Sequence, residues 1–218
     1  MHKQIVHFVR HAQSISNAGL VTEHPSSIPL TETGLEQARL TSRAFSTQPD
    51  LIVTSPYLRT QTSALPLMAR FPGTPQAEWP LHEFTNIHPL NWSGTTGEQR
   101  APLAHAFWDR NDPAYRDGDG AESFADLMQR VEQVRQLILQ QGKAEIVIFS
   151  HGLFTRAFWW RMAMLQQPVN AESMRHCVQF IRGIPFPNCA IVNFRFEEQQ
   201  VWINGPRSAH LPPKLITY

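Results

Sequence analysis

Ile5-Val6-His7-Phe8-Val9 is a short apolar run that ends in Arg10-His11. Its β-branched and aromatic content suits a strand buried in a parallel sheet. Two further runs repeat the arrangement. Leu51-Ile52-Val53 leads into Thr54-Ser55-Pro56, with Arg59 one turn beyond, and Glu145-Ile146-Val147-Ile148-Phe149 leads into Ser150-His151-Gly152. Helical patterns lie between them. Residues 33–46 follow Thr31 and Thr33, both usable N-caps. Residues 56–70 read as a helix with Ser55 as N-cap and Pro56 at its first position, and Pro66 predicts a kink or an end. Residues 123–141 place Leu127, Val131, Val134 and Ile138 on one stripe that Gly142 terminates. Ala190–Phe196 and Gln200–Ile203 alternate as a late hairpin turning near Glu197–Gln199. Strands alternating with helices imply a three-layer α/β/α fold around a mainly parallel sheet.

The 218 residues fit one domain spanning 1–218, and no repeat or Pro/Gly-rich linker divides them, since the 17 prolines are spread out. With 19 basic and 18 acidic residues the net charge is +1, so there is no global field for nucleic acid or a membrane surface. No apolar run approaches the roughly 18 residues of a membrane span. His7 and Arg10 interrupt the first apolar stretch too early for a signal-peptide core. Cys177 and Cys189 form neither a CxxC pair nor a disulfide framework. These features predict a cytoplasmic protein.

Ligands of open parallel sheets bind beyond the carboxyl ends of the strands. The three strand ends would therefore bring Arg10, His11, Ser55, Arg59, His151 and Gly152 to one edge. That set suits a tetrahedral anion. Arginine grips phosphate in a fixed fork, and helix N-termini offer free N–H groups. A neutral imidazole can attack phosphorus, and a second, if protonated, would neutralise charge on the transferred oxygens. Any one of these residues alone is more simply a surface or satisfied core group. Burying two arginines at strand ends without an anion, however, is costly.

The same residues carry a family resemblance. Val9-Arg10-His11-Ala12-Gln13-Ser14-Ile15-Ser16-Asn17 resembles the signature of the histidine phosphatase superfamily, which includes the phosphoglycerate mutases. Leu30-Thr31-Glu32-Thr33-Gly34-Leu35-Glu36-Gln37-Ala38 and Thr54-Ser55-Pro56-Tyr57-Leu58-Arg59-Thr60-Gln61-Thr62 resemble the family's next two blocks. Leu81-His82-Glu83-Phe84 resembles its acid-bearing segment, with Trp92-Ser93-Gly94, Glu122-Ser123-Phe124 and Ser150-His151-Gly152 following in order. Several ordered motifs together are specific where an Arg-His pair alone is not. The resemblance implies that His11 is the phosphorylated nucleophile and that Arg10, Arg59 and His151 hold the phosphate. It also implies Glu83 as general acid and base, and Asn17 near the phosphate. Ser14, Ser55 and Gly152 join Asn17 as candidate substrate-binding residues. Ala12 departs from the pattern, where glycine is commoner. The expected activity is hydrolysis of a small phosphomonoester without metal or cofactor. A phosphomutase, whose family members are usually longer, and an inactive phosphate-binding regulator are the alternatives.

Glu36, Glu98 and Glu122 are rival carboxylates. Glu36 is expected to face solvent, and Glu122 could close a turn beside Ser123. The pairs His7/His11 and His82/His88 lack a Cys/Asp pattern with metal-ligand spacing. The aromatic-rich segment Phe154–Arg161 reads as core packing with snorkelling arginines. Phe84, Trp92 and Trp108 either line a leaving-group pocket or pack a long loop. Arg175, His176 and Arg182 read as a solvated helix face, with a second anion contact as the alternative.

Overall fold

The computed structural model describes residues 3–198 and 200–218. Six strands form one sheet: β1 (Gln4–Arg10), β2 (Leu51–Thr54), β3 (Gln76–Glu78), β4 (Glu145–Ser150), β5 (Ile191–Glu197) and β6 (Gln200–Arg207). Their spatial order is β3-β2-β4-β1-β5-β6. β3, β2, β4 and β1 are mutually parallel, while β5 and β6 complete the sheet antiparallel. The hairpin expectation holds for the two strands, and its turn falls partly on Gln199, outside the described residues.

Helices α1 (Glu32–Ser42) and α2 (Leu58–Arg70) pack on one another, and α3 (Gly97–Arg110), α4 (Phe124–Gln141), α5 (Gly152–Ala163) and α6 (Ala171–Gly183) complete the set. Alternate side chains of the strands feed two cores. Val6, Phe8, Ile146, Ile148, Val192 and Phe194 join α3 to α6, while Val9, Ile52, Val147 and Phe149 meet Ala64 and Leu67 of α2. This period-2 split makes the fold three-layered.

Capping sets the helix starts. Thr31 accepts from Gly34 N at the head of α1, and capping boxes begin α3 (Thr96/Gln99), α4 (Ser123/Asp126) and α6 (Asn170/Ser173). The stripe Leu127, Val131, Val134 and Ile138 is fully buried, and Gly142 ends α4 in the left-handed conformation. Two expectations for α2 are corrected. Its N-cap is Tyr57 and its first residue Leu58, because the Ser55 hydroxyl is engaged with His151 and with Tyr57 N. Pro66 does not end the helix: Leu67, fully buried just beyond it, anchors the last turn through packing, which outweighs one lost backbone bond. α1 likewise stops at Ser42, short of residue 46.

Close approach requires glycine at position 34 and leaves little room at position 152. A Cβ on Gly34 would lie 2.1 Å from the Gln13 carbonyl oxygen, so α1 presses directly on the loop after His11. A Cβ on Gly152 would stand 3.1 Å from Arg10 Nε. No helix among the described residues is long and apolar enough to cross a membrane.

Candidate active site

β1, β4 and β2 are neighbours in the sheet, so the residues after them converge. The His11 N–H bonds Ser150 O at 2.9 Å and the Ser55 N–H bonds Phe149 O at 3.2 Å, which ties the three strand ends together. His11, Ser55, Arg59 and His151 are all buried. The rings of His11 and His151 lie 5.2 Å apart.

His11 Nδ1 lies 2.7 Å from Ala12 O. A carbonyl only accepts, so Nδ1 carries the ring proton and Nε2 keeps its lone pair. Arg59 Nε donates to that Nε2 at 3.2 Å. Burial, then Arg59 and Arg10, hold the His11 pKa well below its ordinary value, so the free site contains a neutral imidazole. His151 is likewise held neutral by burial, then by Arg59 and His11. The cationic His151 considered from the sequence is therefore absent from the ligand-free site. Its Nε2 meets Ser55 Oγ at 2.8 Å, while its buried Nδ1 has no partner.

Arg10 donates from Nη1 to Phe186 O, and its buried Nε has no partner. Arg59 donates from Nη1 to Pro25 O and rests over the Tyr57 ring at 4.9 Å. Burial lowers both guanidinium pKa values to about 10, which leaves both charged at neutral pH. Neither forms an ion pair among the described residues. The carboxylate whose field both feel most is Glu83.

Glu83 is anchored at the head of α5. Oε1 accepts from Phe84 N and Phe154 N at 3.0 Å, and Oε2 accepts from Leu153 N at 3.1 Å. It thereby satisfies two of the orphan N–H groups of that helix, at its positive end. Glu122 is differently placed. Arg130 Nε and Nη2 each grip it at 2.8 Å, and Thr85 N donates to it. Burial raises its pKa, but His82, Arg130 and Thr85 together hold it at about 2. Glu36 pairs with Arg39 on the surface, and Glu98 is exposed in the first turn of α3.

Asn17 Oδ1 accepts from Ser14 N, Ser14 Oγ and Asn188 Nδ2. Ser14 and Ser55 thus hold other site residues, Asn17 and His151. Sequence reasoning missed Asn188 and Gln37. Asn188 donates to His11 O at 3.1 Å, and Gln37 accepts from Gln13 N at 2.7 Å. Both are fully buried amides. Gln37 lies in a block already singled out, whereas nothing local marks Asn188. Phe84 and Trp108 pack in the core, and Trp92 lies under Arg100 at 4.2 Å. Arg156 and Arg161 donate to backbone carbonyls, while Arg175, His176 and Arg182 are exposed on α6.

The site therefore holds a neutral imidazole with its Nε2 lone pair available, two cations without an ion-pair partner, Arg59 buried and Arg10 half-buried, and two orphaned donor-capable nitrogens: the partners a tetrahedral oxyanion requires.

Solved structures share the fold. An α-ribazole phosphatase from Shigella flexneri aligns with a TM-score of 0.72 at 20% identity, covering 94% of this chain and 96% of that one. A phosphoserine phosphatase mutant from Entamoeba histolytica, in complex with phosphoserine, aligns at 0.70 and 20% identity over 96% and 100% of the two chains. A mycobacterial glucosyl-3-phosphoglycerate phosphatase, complexed with VO3, aligns at 0.69 and 23% identity over 92% and 97%. Comparison with curated proteins finds no significant match. The family model of the histidine phosphatase superfamily (branch 1) matches residues 6–206, a span that holds every candidate site residue. The chain belongs to the histidine phosphatase superfamily.

Proposed function

We propose that the protein hydrolyses a small phosphomonoester through a phosphohistidine on His11. The observation that carries this reading is the pair of guanidiniums without an ion-pair partner, buried Arg59 and half-buried Arg10, around a neutral imidazole whose Nε2 lone pair is free of a proton. The three structural relatives named above are phosphatases of small phosphorylated metabolites by name, which supports that substrate class.

The phosphoryl group enters between Arg10, Arg59 and His151, and its charge replaces the missing counter-ion of both arginines. His11 Nε2 attacks phosphorus in line as the bond to the leaving oxygen breaks. Glu83 gives that oxygen a proton, then takes one from the water that attacks the phosphohistidine, so inorganic phosphate leaves and both residues return to their starting states. Glu122 is unsuited to the acid role, since a carboxyl held at about 2 carries no proton near neutrality. In the tautomer that serves this step the Ser55 hydroxyl gives its hydrogen to His151 Nε2, and the ring proton sits on Nδ1, the buried nitrogen without a partner, which donates to the phosphoryl group.

The test is a rapid acid-free quench with labelled substrate. A base-stable, acid-labile phosphoryl group on His11, absent from His11→Ala together with all turnover, is the expected result. Label on another residue, or an active His11→Ala variant, overturns the mechanism.

A further inference from the structure

Asn188 and Thr217 lie far from the strand-end motifs, yet they close a hydrogen-bond circuit around the His11 loop. Asn188 Nδ2 donates to His11 O at 3.1 Å and to Asn17 Oδ1 at 3.3 Å. Its Oδ1 accepts from Thr217 Oγ1 at 2.9 Å, and its backbone N–H bonds Thr217 O at 2.8 Å. Gln37 completes the loop. Its Oε1 accepts from Gln13 N at 2.7 Å, while its Nε2 donates to Thr217 Oγ1 at 2.9 Å and to Leu215 O at 2.7 Å. Both amides are fully buried, so each bond is made in a low-dielectric interior.

The directions in this circuit are forced. A backbone carbonyl can only accept, so the edge of Asn188 that faces His11 O must be Nδ2. The same nitrogen faces Asn17, so the Asn17 atom there must be Oδ1. Ser14 N and Ser14 Oγ also donate to that oxygen. With Oδ1 saturated by three donors, the free donor of Asn17 is Nδ2.

We infer that Asn188, locked by Thr217 and Gln37, is a positioning residue that fixes the His11 main chain and turns Asn17 Nδ2 toward the bound phosphoryl group. This rests on the reading of His11 as a phosphate-site residue. Asn188 thus adds a third donor to the two from Ser14 that hold Asn17 Oδ1 away from the anion, where an oxygen would carry a large electrostatic penalty. The segment 215–217 is therefore part of the phosphate site, acting on it through Asn188 and Gln37.

The test uses the full chain and two readouts: the dissociation constant for inorganic phosphate and the single-turnover rate of His11 phosphorylation. Asn188→Ala should weaken phosphate binding and slow phosphorylation roughly 10- to 100-fold, as expected when a reacting group is misplaced by about an ångström. Thr217→Val, close in shape to threonine, should give a smaller loss of the same kind, and Thr217→Ser should restore both. Asn17→Ala and Asn188→Ala should be less than additive, because Asn188 acts on the phosphate partly through Asn17 and partly through the His11 main chain. Thr217→Val keeps the test usable if Asn188→Ala does not fold. Unchanged phosphate affinity in the folded variants, or full additivity with Asn17→Ala, overturns the inference. So does a wild-type protein that binds no phosphate. Phosphate binding that depends on Asn188 and Thr217 in a protein that never labels His11 would overturn the turnover mechanism and leave the brace standing.

Discussion

Gly34 occupies the first turn of α1, where replacing glycine by alanine ordinarily strengthens a helix by up to about 1 kcal/mol. Here the sign reverses. The added methyl would meet the Gln13 carbonyl oxygen at 2.1 Å, and backbone cannot rotate away as a side chain can. Either α1 or the loop after His11 must move. Gly34→Ala is expected to lose about 1–3 kcal/mol in denaturant unfolding, the range of overpacked sites, and to depress kcat more than its stability loss explains. A stabilised, fully active variant would show that α1 does not set the loop.

The two histidines make a second prediction at this scale. Burial and the neighbouring arginines hold both rings neutral in the free protein. A histidine with a depressed pKa charges only when the pH falls well below its ordinary range. In NMR titration of the ligand-free protein, the His11 and His151 ring signals should therefore stay flat between about pH 7.5 and 5.5, where an ordinary histidine turns over. A midpoint near 6.5 for His11 would mean that neither burial nor the arginine field depresses it.

Among the elements, α5 and the loop before residue 98 matter most. Glu83 reaches the head of α5 across seventy residues of chain, accepting from Leu153 and Phe154 N–H. In the proposed mechanism it therefore has two separable roles, holding a helix end and moving a proton. Glu83→Gln keeps an oxygen for the helix but cannot exchange a proton. Phosphorylation of His11 from an alkyl phosphate should slow on the order of 10²–10⁴-fold, the usual contribution of a general acid, while a nitrophenyl ester, whose leaving group needs no proton, should slow far less. Single-turnover kinetics isolate this first step. Equal losses on both esters would reduce Glu83 to a helix cap.

Over the whole molecule, legibility followed sequence distance. The three strand ends were readable because strand, turn and functional side chain are contiguous, as in Val9-Arg10-His11 and Ser150-His151-Gly152. The start of α2 was misplaced because Ser55 has a tertiary partner, His151, that outcompetes its local capping role. Pro66 reads as a kink or an end because local propensity cannot weigh Leu67 in the core, which carries the helix past it. β3, with three residues and little apolar content, and α3, with an internal proline, gave weak periodicity. Asn188 and Thr217 were invisible because their partners, His11, Asn17 and Gln37, lie more than 150 residues away, and an amide carries no periodic signal.

Buried charge ties the stability of the fold to pH. Arg130 links α4 to the loop carrying Glu83: it grips Glu122 and donates to Pro80 O and His82 O. Glu122 sits at about 2, below its ordinary value of 4.5. A carboxyl depressed on folding adds stability that is fully present above the unfolded pKa and disappears as pH falls through the folded one. That window runs here from 4.5 down to about 2. The shift corresponds to about 3 kcal/mol at neutral pH. Asp126, also held at about 2 by Arg116 and then favoured by Ser123, steepens the same decline at the head of α4. Glu122→Gln should lose stability of that order at pH 7, because Arg130 is left buried without its counter-charge. Its unfolding curve should then converge on the wild type as pH approaches 2, since the wild type loses the same contribution there. Curves that remain parallel from pH 7 to 2 would mean that the pair contributes nothing through its charge, and that Arg130 holds the loop through the Pro80 and His82 carbonyls alone.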